Sequence, residues 1–228
     1  MWKWLIRRRL DAFERKYDYN VDYARDILDA DTTALLRFGR LNGLSVYRRD
    51  IPLDVYYAVK LIGTLTEDCG PCTQLTVAMA LHDGVAPSTI AGVLEGHEDA
   101  LGDEIRLGVR FARATLAHDP AADELRDDVV ARWGRRALVS LAFAIASARL
   151  FPTIKYALGH GKACQRVVVA GEPITPRGRA APRESTTPRT AVAAASSLPT
   201  SPVAPRSVAE PHTGPDRDLD VIDLSISR

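Results

Sequence analysis

The chain has 228 residues, 46% of them hydrophobic and 26% charged, and its formal net charge is +1. These values are typical of a soluble globular protein of one or two domains, and they give no general electrostatic attraction to nucleic acid. Three cysteines are too few, and odd in number, for a secreted disulfide scaffold.

The first segment, MWKWLIRRRLDAF, predicts an amphipathic helix. Trp2, Leu5, Ile6, Leu10 and Phe13 recur at helical spacing beside a run of arginines. The apolar run is too short for a signal peptide, and no small-residue cleavage site follows it. A helix that docks on its own domain is the favoured interpretation, and a helix that lies on a membrane surface is the alternative.

Helical patterns continue to about residue 170, and we see no stretch with the two-residue alternation of a sheet. The predicted helices are LDVYYAVKLIGTL, the segment from the CGPC motif to Gly84, PSTIAGVLEG, residues 104–117, ELRDDVVARWG after Pro120, residues 137–150, and Pro152 to Gly159. The longest apolar stretch, residues 137–151, is shorter than the roughly 18–20 residues that a membrane span needs. We therefore expect a buried core helix there, no membrane span, and a cytoplasmic protein.

The composition changes after residue 170. Residues 171–228 contain nine of the fourteen prolines and no Phe, Trp or Tyr. Such a segment buries too little apolar area to offset its ordering entropy, so a disordered tail is expected. The terminal DLDVIDLSISR alternates apolar and polar residues and could instead form a docking strand. The sequence thus predicts one all-α domain, 1–170, followed by a tail, 171–228.

The segment TEDCGPCTQLTVAMAL holds the chemistry of interest. Pro71 suits the first turn of a helix, which places Cys69 and Cys72 at a helix N-terminus. Free backbone N–H groups and the helix dipole stabilise a thiolate there. At a separation of three residues the two sulfurs share one face and can form a disulfide, so the motif predicts thiol–disulfide chemistry.

The thioredoxin fold also carries CGPC, but a strand precedes the motif in that fold, and a helical segment precedes it here. YYAVKLIGTLTEDCGPCTQLTVAMALHDGV and VVARWGRRALVSLAFAIASARLFPTIKYALGHG resemble the alkylhydroperoxidase D-like branch of the carboxymuconolactone decarboxylase family. The resemblance covers about residues 50–165. It implies an all-α, alkylhydroperoxidase D-like fold and a homo-oligomer, often built of trimers.

The resemblance also implies an antioxidant peroxidase activity that needs no cofactor. Cys72 would attack the hydroperoxide or disulfide substrate, and Cys69 would condense the resulting sulfenic acid to a disulfide. A dithiol reductant protein would then restore both thiols. The lactone decarboxylation known in another branch of the family gains no support, because that branch does not rely on a CxxC motif.

The chain departs from the family motif at two positions. Tyr57 stands where the family has a glutamate, and Thr76 where it has a histidine. Without that proton relay, Cys72 would depend on the helix dipole and hydrogen bonds, and activity would be weak and would rise with pH. Glu67 and Asp68 lie close enough to act as substitutes, although their negative charge would raise a thiol pKa. Tyr57 could instead hydrogen-bond the thiolate, and His160 could fold back as a replacement base.

Two other interpretations use the same residues. Cys69, Cys72, His160 and Cys164 have the composition of a structural zinc site, although the gap between the pairs is unlike that of a zinc finger. Alternatively, the missing relay indicates a non-catalytic family member that acts as an oligomeric scaffold. Outside the zinc hypothesis, Cys164 is expected to be a bystander thiol.

Overall fold

The computed structural model describes residues 2–162 and 166–177. The predicted tail beyond residue 177, the terminal DLDVIDLSISR and Cys164 lie outside these residues. The elements are α1 (Trp2–Tyr17), α2 (Asp22–Ala30), α3 (Thr32–Val46), α4 (Leu53–Thr66), α5 (Gly70–His82), α6 (Pro87–Glu95), a 3₁₀ turn (Glu98–Ala100), α7 (Asp103–Ala117), α8 (Ala121–Trp133), α9 (Arg135–Ala157), β1 (Val167–Val169) and β2 (Glu172–Ile174). The predicted all-α fold is therefore confirmed over the described part of the chain.

Helix α4 is the centre of the fold. Every residue from Val55 to Leu65 is buried, and a helix that is buried on all sides must be surrounded by other elements. Helices α5, α6, α7 and α9 surround it. Helix α9 approaches α4 closely at Gly63, where an added Cβ would lie 2.6 Å from the Cβ of Ala148. A larger residue at position 63 would separate these two helices.

The first three helices form a second, smaller apolar cluster. Ile6 of α1 is buried in it with Tyr23, Leu28 and Leu35, and Leu75 of α5 contacts the same cluster. This placement confirms that α1 docks on its own domain. The cluster lies beside the start of α5 and so covers the end of the fold that carries the two cysteines.

The prediction of a separate last helix starting at Pro152 is wrong. Helix α9 runs without interruption from Arg135 to Ala157, with Pro152 buried inside it. A proline lacks the N–H for one helical hydrogen bond, but Pro152 is itself buried, and the ring of Phe151 beside it packs edge-on against Phe38 of α3 at 5.6 Å. In length and apolarity α9 could span a membrane, which by itself is weak evidence for a span, and 44% of its apolar window is buried within the protein.

The prediction that the chain contains no sheet is also wrong. Strands β1 and β2 form an antiparallel hairpin with Val167 opposite Ile174, and both of these side chains are buried in the main core. The two-residue loop has positive φ at Ala170 (49°) and Gly171 (91°), as a type I′ turn requires. The hairpin crosses the predicted boundary at residue 170, so residues 171–177 fold with the helical domain.

Candidate redox site

The CxxC motif lies where the sequence predicts it, at the start of α5. Cys69 is the N-cap residue, and Pro71 and Cys72 lie in the first turn. Asp68 precedes them in the left-handed conformation, with φ of 51°, which a small polar residue tolerates better than most. The backbone N–H of Gly70 donates to the carbonyl of Lys162 at 2.9 Å. The segment after α9 therefore holds the turn in place.

Cys69 and Cys72 are free thiols that are coupled to each other. A hydrogen bond donated by the Cys72 thiol lowers the pKa of Cys69 to about 7, and the same bond, together with burial, raises the pKa of Cys72. This hydrogen bond therefore favours ionisation at Cys69 and retention of the proton at Cys72.

A buried lysine stands beside this anion. Lys155 of α9 is only 3% exposed, and its positive charge lowers the pKa of both cysteines. Its Nζ donates to the Tyr19 hydroxyl at 3.0 Å and lies 4.5 Å from the centre of the Tyr19 ring and 5.0 Å from that of Tyr23. The aromatic faces stabilise the ammonium by a cation–π interaction. The thiol cluster is our name for Cys69, Cys72, Lys155, Tyr19 and Tyr23.

Tyr19 connects the lysine to the thiols. A hydrogen bond with the Tyr19 hydroxyl lowers the pKa of Cys72, and it offsets part of the rise that Cys69 and burial cause. The phenol itself stays neutral, because burial raises the pKa of Tyr19 far above its ordinary value. Tyr19 can therefore donate a hydrogen bond to a sulfur and accept one from Lys155 at the same time.

The two positions that replace the family relay do not contact the thiols. The hydroxyl of Tyr57 donates to the carboxylate of Asp83, beyond the far end of α5, so the prediction that Tyr57 hydrogen-bonds the thiolate is wrong. Thr76 donates to the backbone carbonyl of Cys72 at 3.0 Å. Its hydroxyl is thereby occupied within the helix, although Thr76 lines the same cavity as the Cys72 side chain.

The charged residues predicted as substitutes have other partners. Glu67 accepts a hydrogen bond from Arg149 at 2.5 Å, and the negative charge of Asp68 raises the pKa of Cys69. His160 lies 2.7 Å from the carboxylate of Asp26, so this contact gives no support to the hypothesis that His160 acts as a replacement base. No group of three ligand side chains suited to a metal occurs among the described residues, and Cys164 of the zinc hypothesis lies outside them.

An internal cavity of about 250 Å³ opens onto the thiol cluster. It lies between the first three helices and the central helices α4, α5 and α9, and its walls are mostly apolar. Cys72, which is 5% exposed, lines this cavity, whereas Cys69 does not and is completely buried. A small molecule in the cavity can therefore reach Cys72 first. Lys60 of α4 lines the same cavity.

Sequence reasoning missed Tyr19, Tyr23 and Lys155. Tyr19 lies in the short connection between α1 and α2, and Lys155 lies 83 residues after Cys72 in the chain, so no local motif links them to the cysteines. One signal was present: Lys155 lies on a predicted helix that directly follows the long apolar run of residues 137–151. A lysine on a buried helix needs a partner or a function.

Comparison with known proteins adds no relative: no protein-family model, curated protein or solved structure matches the chain. The likeness of its CxxC region to the alkylhydroperoxidase D-like branch is therefore still a prediction, as are the activity and the homo-oligomeric assembly that this likeness implies.

Proposed function

We propose that the protein is a thiol-dependent oxidoreductase that reduces hydroperoxides or exchanges disulfides through Cys69 and Cys72. The observation that carries the proposal is the thiol cluster itself: a buried pair of cysteines, at a helix N-terminus and beside a buried lysine, opens onto an apolar cavity. A helix N-terminus and a nearby cation both favour thiolates. Structural buried cysteines are usually inert and lack such neighbours.

Cys72 lines the cavity and Cys69 does not, which supports Cys72 as the attacking thiol. In the proposed reaction, Cys69 takes the proton of Cys72, and the Cys72 sulfur attacks the outer oxygen of the hydroperoxide. The O–O bond breaks, and the alkoxide takes the proton back from Cys69 and leaves as an alcohol. Cys69 would thus supply the proton transfer for which the family uses glutamate and histidine.

The second step forms the disulfide. The Cys69 thiolate attacks the sulfenic acid on Cys72 and releases hydroxide, which leaves a Cys69–Cys72 disulfide. A dithiol donor then reduces this disulfide and is itself oxidised to a disulfide. A reducing compartment such as the cytoplasm would keep that donor available. The net reaction converts one dithiol and one hydroperoxide into a disulfide, an alcohol and water.

Peroxide consumption by the reduced full-length protein tests the proposal, with peptide mapping before and after turnover. We expect a Cys69–Cys72 disulfide in the wild type and no consumption by Cys72→Ser. Cys69→Ser should keep a sulfenic acid on Cys72, which dimedone would trap. Cys164→Ser is the matched control and should behave as the wild type.

Two results would contradict the proposal. If both thiols stay reduced while Cys164 is oxidised, the redox pair is not Cys69 and Cys72. If neither the wild type nor any variant consumes peroxide or exchanges a disulfide, the interpretation as a non-catalytic scaffold replaces the proposed redox function. A sulfenic acid trapped on Cys69 in Cys72→Ser would overturn the assignment of roles.

A further inference from the structure

The charges that line the cavity are all positive. Lys60, Arg9 and Arg40 contribute to its walls, and no aspartate or glutamate of the described ranges does. The two arginines are exposed, whereas Lys60 is 6% exposed. Since the remaining lining is mostly apolar, the cavity offers a favourable environment to a molecule that has an apolar body and a negative charge.

Lys60 has more donors than hydrogen-bond acceptors among the described residues, and its side chain lines this cavity. Its Nζ donates to the carbonyl and to the hydroxyl of Ser45, both at 3.0 Å, whereas an ammonium has three donors. The ring centres of Tyr56 and Tyr57 lie 5.2 and 5.9 Å from Nζ. Among the described residues no carboxylate forms an ion pair with Lys60.

The negative charge of Asp83 raises the pKa of Lys60, but the Asp83 carboxylate forms its own contacts with other residues. Its carboxylate accepts from the Tyr57 hydroxyl and lies 3.1 Å from the ring of His82. Burial lowers the pKa of Lys60 to about 8, and Asp83 offsets that only in part. At neutral pH the protein therefore carries a buried ammonium with no anion against it, which is costly unless an anion binds there.

Lys60 and Cys72 face one cavity from adjacent helices. A turn of three residues joins α4 to α5, so the two helices run antiparallel. Thr64, one helical turn after Lys60, and Thr76, one turn after Cys72, line the same cavity. A single bound molecule can therefore contact the ammonium with one end and reach the thiol with the other.

We propose that the cavity binds a medium-chain organic carboxylate, with its carboxylate on Lys60 and its chain directed toward Cys72. The proposal rests on the proposed function in one respect: hydroperoxides of such acids would then be the substrates that Cys72 reduces. The cavity volume of about 250 Å³ gives room for a small organic molecule. Octanoate is an acid of that kind, because it joins an apolar chain to one carboxylate.

Calorimetric titration of the reduced full-length protein with octanoate tests this site, with 1-octanol as the neutral match. Octanoate should bind at least roughly tenfold more tightly than 1-octanol, since only the acid pairs with Lys60. Lys60→Met should weaken octanoate by roughly thirtyfold or more, because it removes one partner of a buried ion pair. The affinity for 1-octanol should change by no more than about twofold.

Lys3→Met removes the same charge from the exposed face of α1, outside the cavity, and should leave octanoate binding unchanged. Equal affinity for octanoate and 1-octanol, or no binding of either, overturns the proposal even if Lys60→Met fails to fold. So does a folded Lys60→Met variant that binds octanoate as tightly as the wild type.

Peroxide assays separate this inference from the proposed function. If octanoate binds through Lys60 but no peroxide is reduced, the binding site stands and the redox function fails. If tert-butyl hydroperoxide is reduced but octanoate neither binds nor inhibits, the redox function stands and the carboxylate site fails. Support for both requires that a hydroperoxide bearing a carboxylate is reduced faster by the wild type than by Lys60→Met.

Discussion

Two lysines are buried in the described part of this protein, and the protein surrounds them in similar ways. Lys155 lies over the rings of Tyr19 and Tyr23, and Lys60 lies over the rings of Tyr56 and Tyr57. Both side chains are less than one tenth exposed. In each case aromatic faces and neutral oxygens replace water around an ammonium.

The two lysines differ in the anion that is available to them. The Cys69 thiolate lies near Lys155 and gains stability from it, whereas Lys60 has only the carbonyl and hydroxyl of Ser45. One buried charge is thus satisfied inside the protein, and the other is left facing a cavity. The comparison teaches that similar aromatic surroundings can hold a buried lysine beside a thiol pair in one place and beside a cavity in another.

The largest expected effect concerns the stability cost of Lys60. Its pKa falls from 10.5 to about 8 on folding, which corresponds to about 3 kcal/mol of destabilisation at pH 7. Lys60→Met removes that cost, and the Ser45 carbonyl keeps the Tyr56 hydroxyl as a donor. We expect the variant to be more stable than the wild type by up to about 3 kcal/mol in urea unfolding at pH 7.

The pH dependence of that difference is a second readout. Between pH 8 and 10.5 the unfolded lysine binds more protons than the folded one, so wild-type stability should rise with pH in this window. The gap between wild type and Lys60→Met should therefore be largest below pH 8 and should narrow at pH 9.5. A variant that is less stable than the wild type at pH 7 would mean that Lys60 already has an anionic partner.

The next largest effect is expected at Lys155. Lys155→Met removes the cation beside the thiolate, so the pKa of Cys69 should rise from about 7 by about one unit. The rate at which iodoacetamide alkylates the Cys69–Cys72 pair at pH 7 should fall about fivefold to tenfold. In the wild type this rate should rise as the pH passes through about 7, and the midpoint should move upward in the variant.

Lys60→Met is the matched control for alkylation, because it removes the other buried lysine. It should leave the alkylation midpoint unchanged. Equal shifts in the two variants would show that the thiols respond to total charge rather than to Lys155. No shift in either variant would remove Lys155 from the thiol cluster.

A smaller effect is expected at Tyr19. Tyr19→Phe keeps the ring under Lys155 but removes the hydroxyl that accepts from Nζ and acts on Cys72. One neutral hydrogen bond is worth about 1 kcal/mol, so the peroxide-reduction rate near neutral pH should fall severalfold. Tyr23→Phe, measured beside it, should have a smaller effect. An unchanged rate in Tyr19→Phe would show that this hydroxyl contributes nothing to the reaction.

The sequence predicted those parts of the fold and site that depend on neighbouring residues. The helix start at Pro71, the stop at Gly84 and the burial of the apolar run in α9 all follow from local patterns. The continuation of α9 through Pro152 did not, because tertiary packing there overrides the local preference of proline. The hairpin was missed since Val167–Val169 is too short a strand to show alternation.

The candidate site divides in the same way. Cys69 and Cys72 form a local motif that the sequence displays openly, whereas Lys155 and Tyr19 meet them only after helices far apart in the chain have packed. Tyr57 was placed near the thiols by analogy with a family position, but it lies at the end of α5 that contains Asp83. A single sequence supplies no information on such distant pairings, so residues that act through space are found only in the fold.

The smallest expected effect concerns His160, and it tests whether Lys155 alone provides the electrostatic support of the thiols. His160 is 26% exposed and pairs with Asp26, which is 63% exposed. An ion pair this accessible to water contributes about 0–1 kcal/mol. His160→Gln keeps a hydrogen-bonding side chain, so we expect a loss of stability of at most about 1 kcal/mol and an unchanged pH midpoint for iodoacetamide alkylation.

Asp26→Asn is the matched variant, because it neutralises the partner and leaves the imidazole in place. If His160→Gln alone slows alkylation near pH 7, His160 reaches the cysteines in solution and acts as the base, a role that we propose for Cys69. If both variants leave alkylation unchanged while Lys155→Met slows it, the thiolate depends on the buried lysine and on no histidine in the described residues.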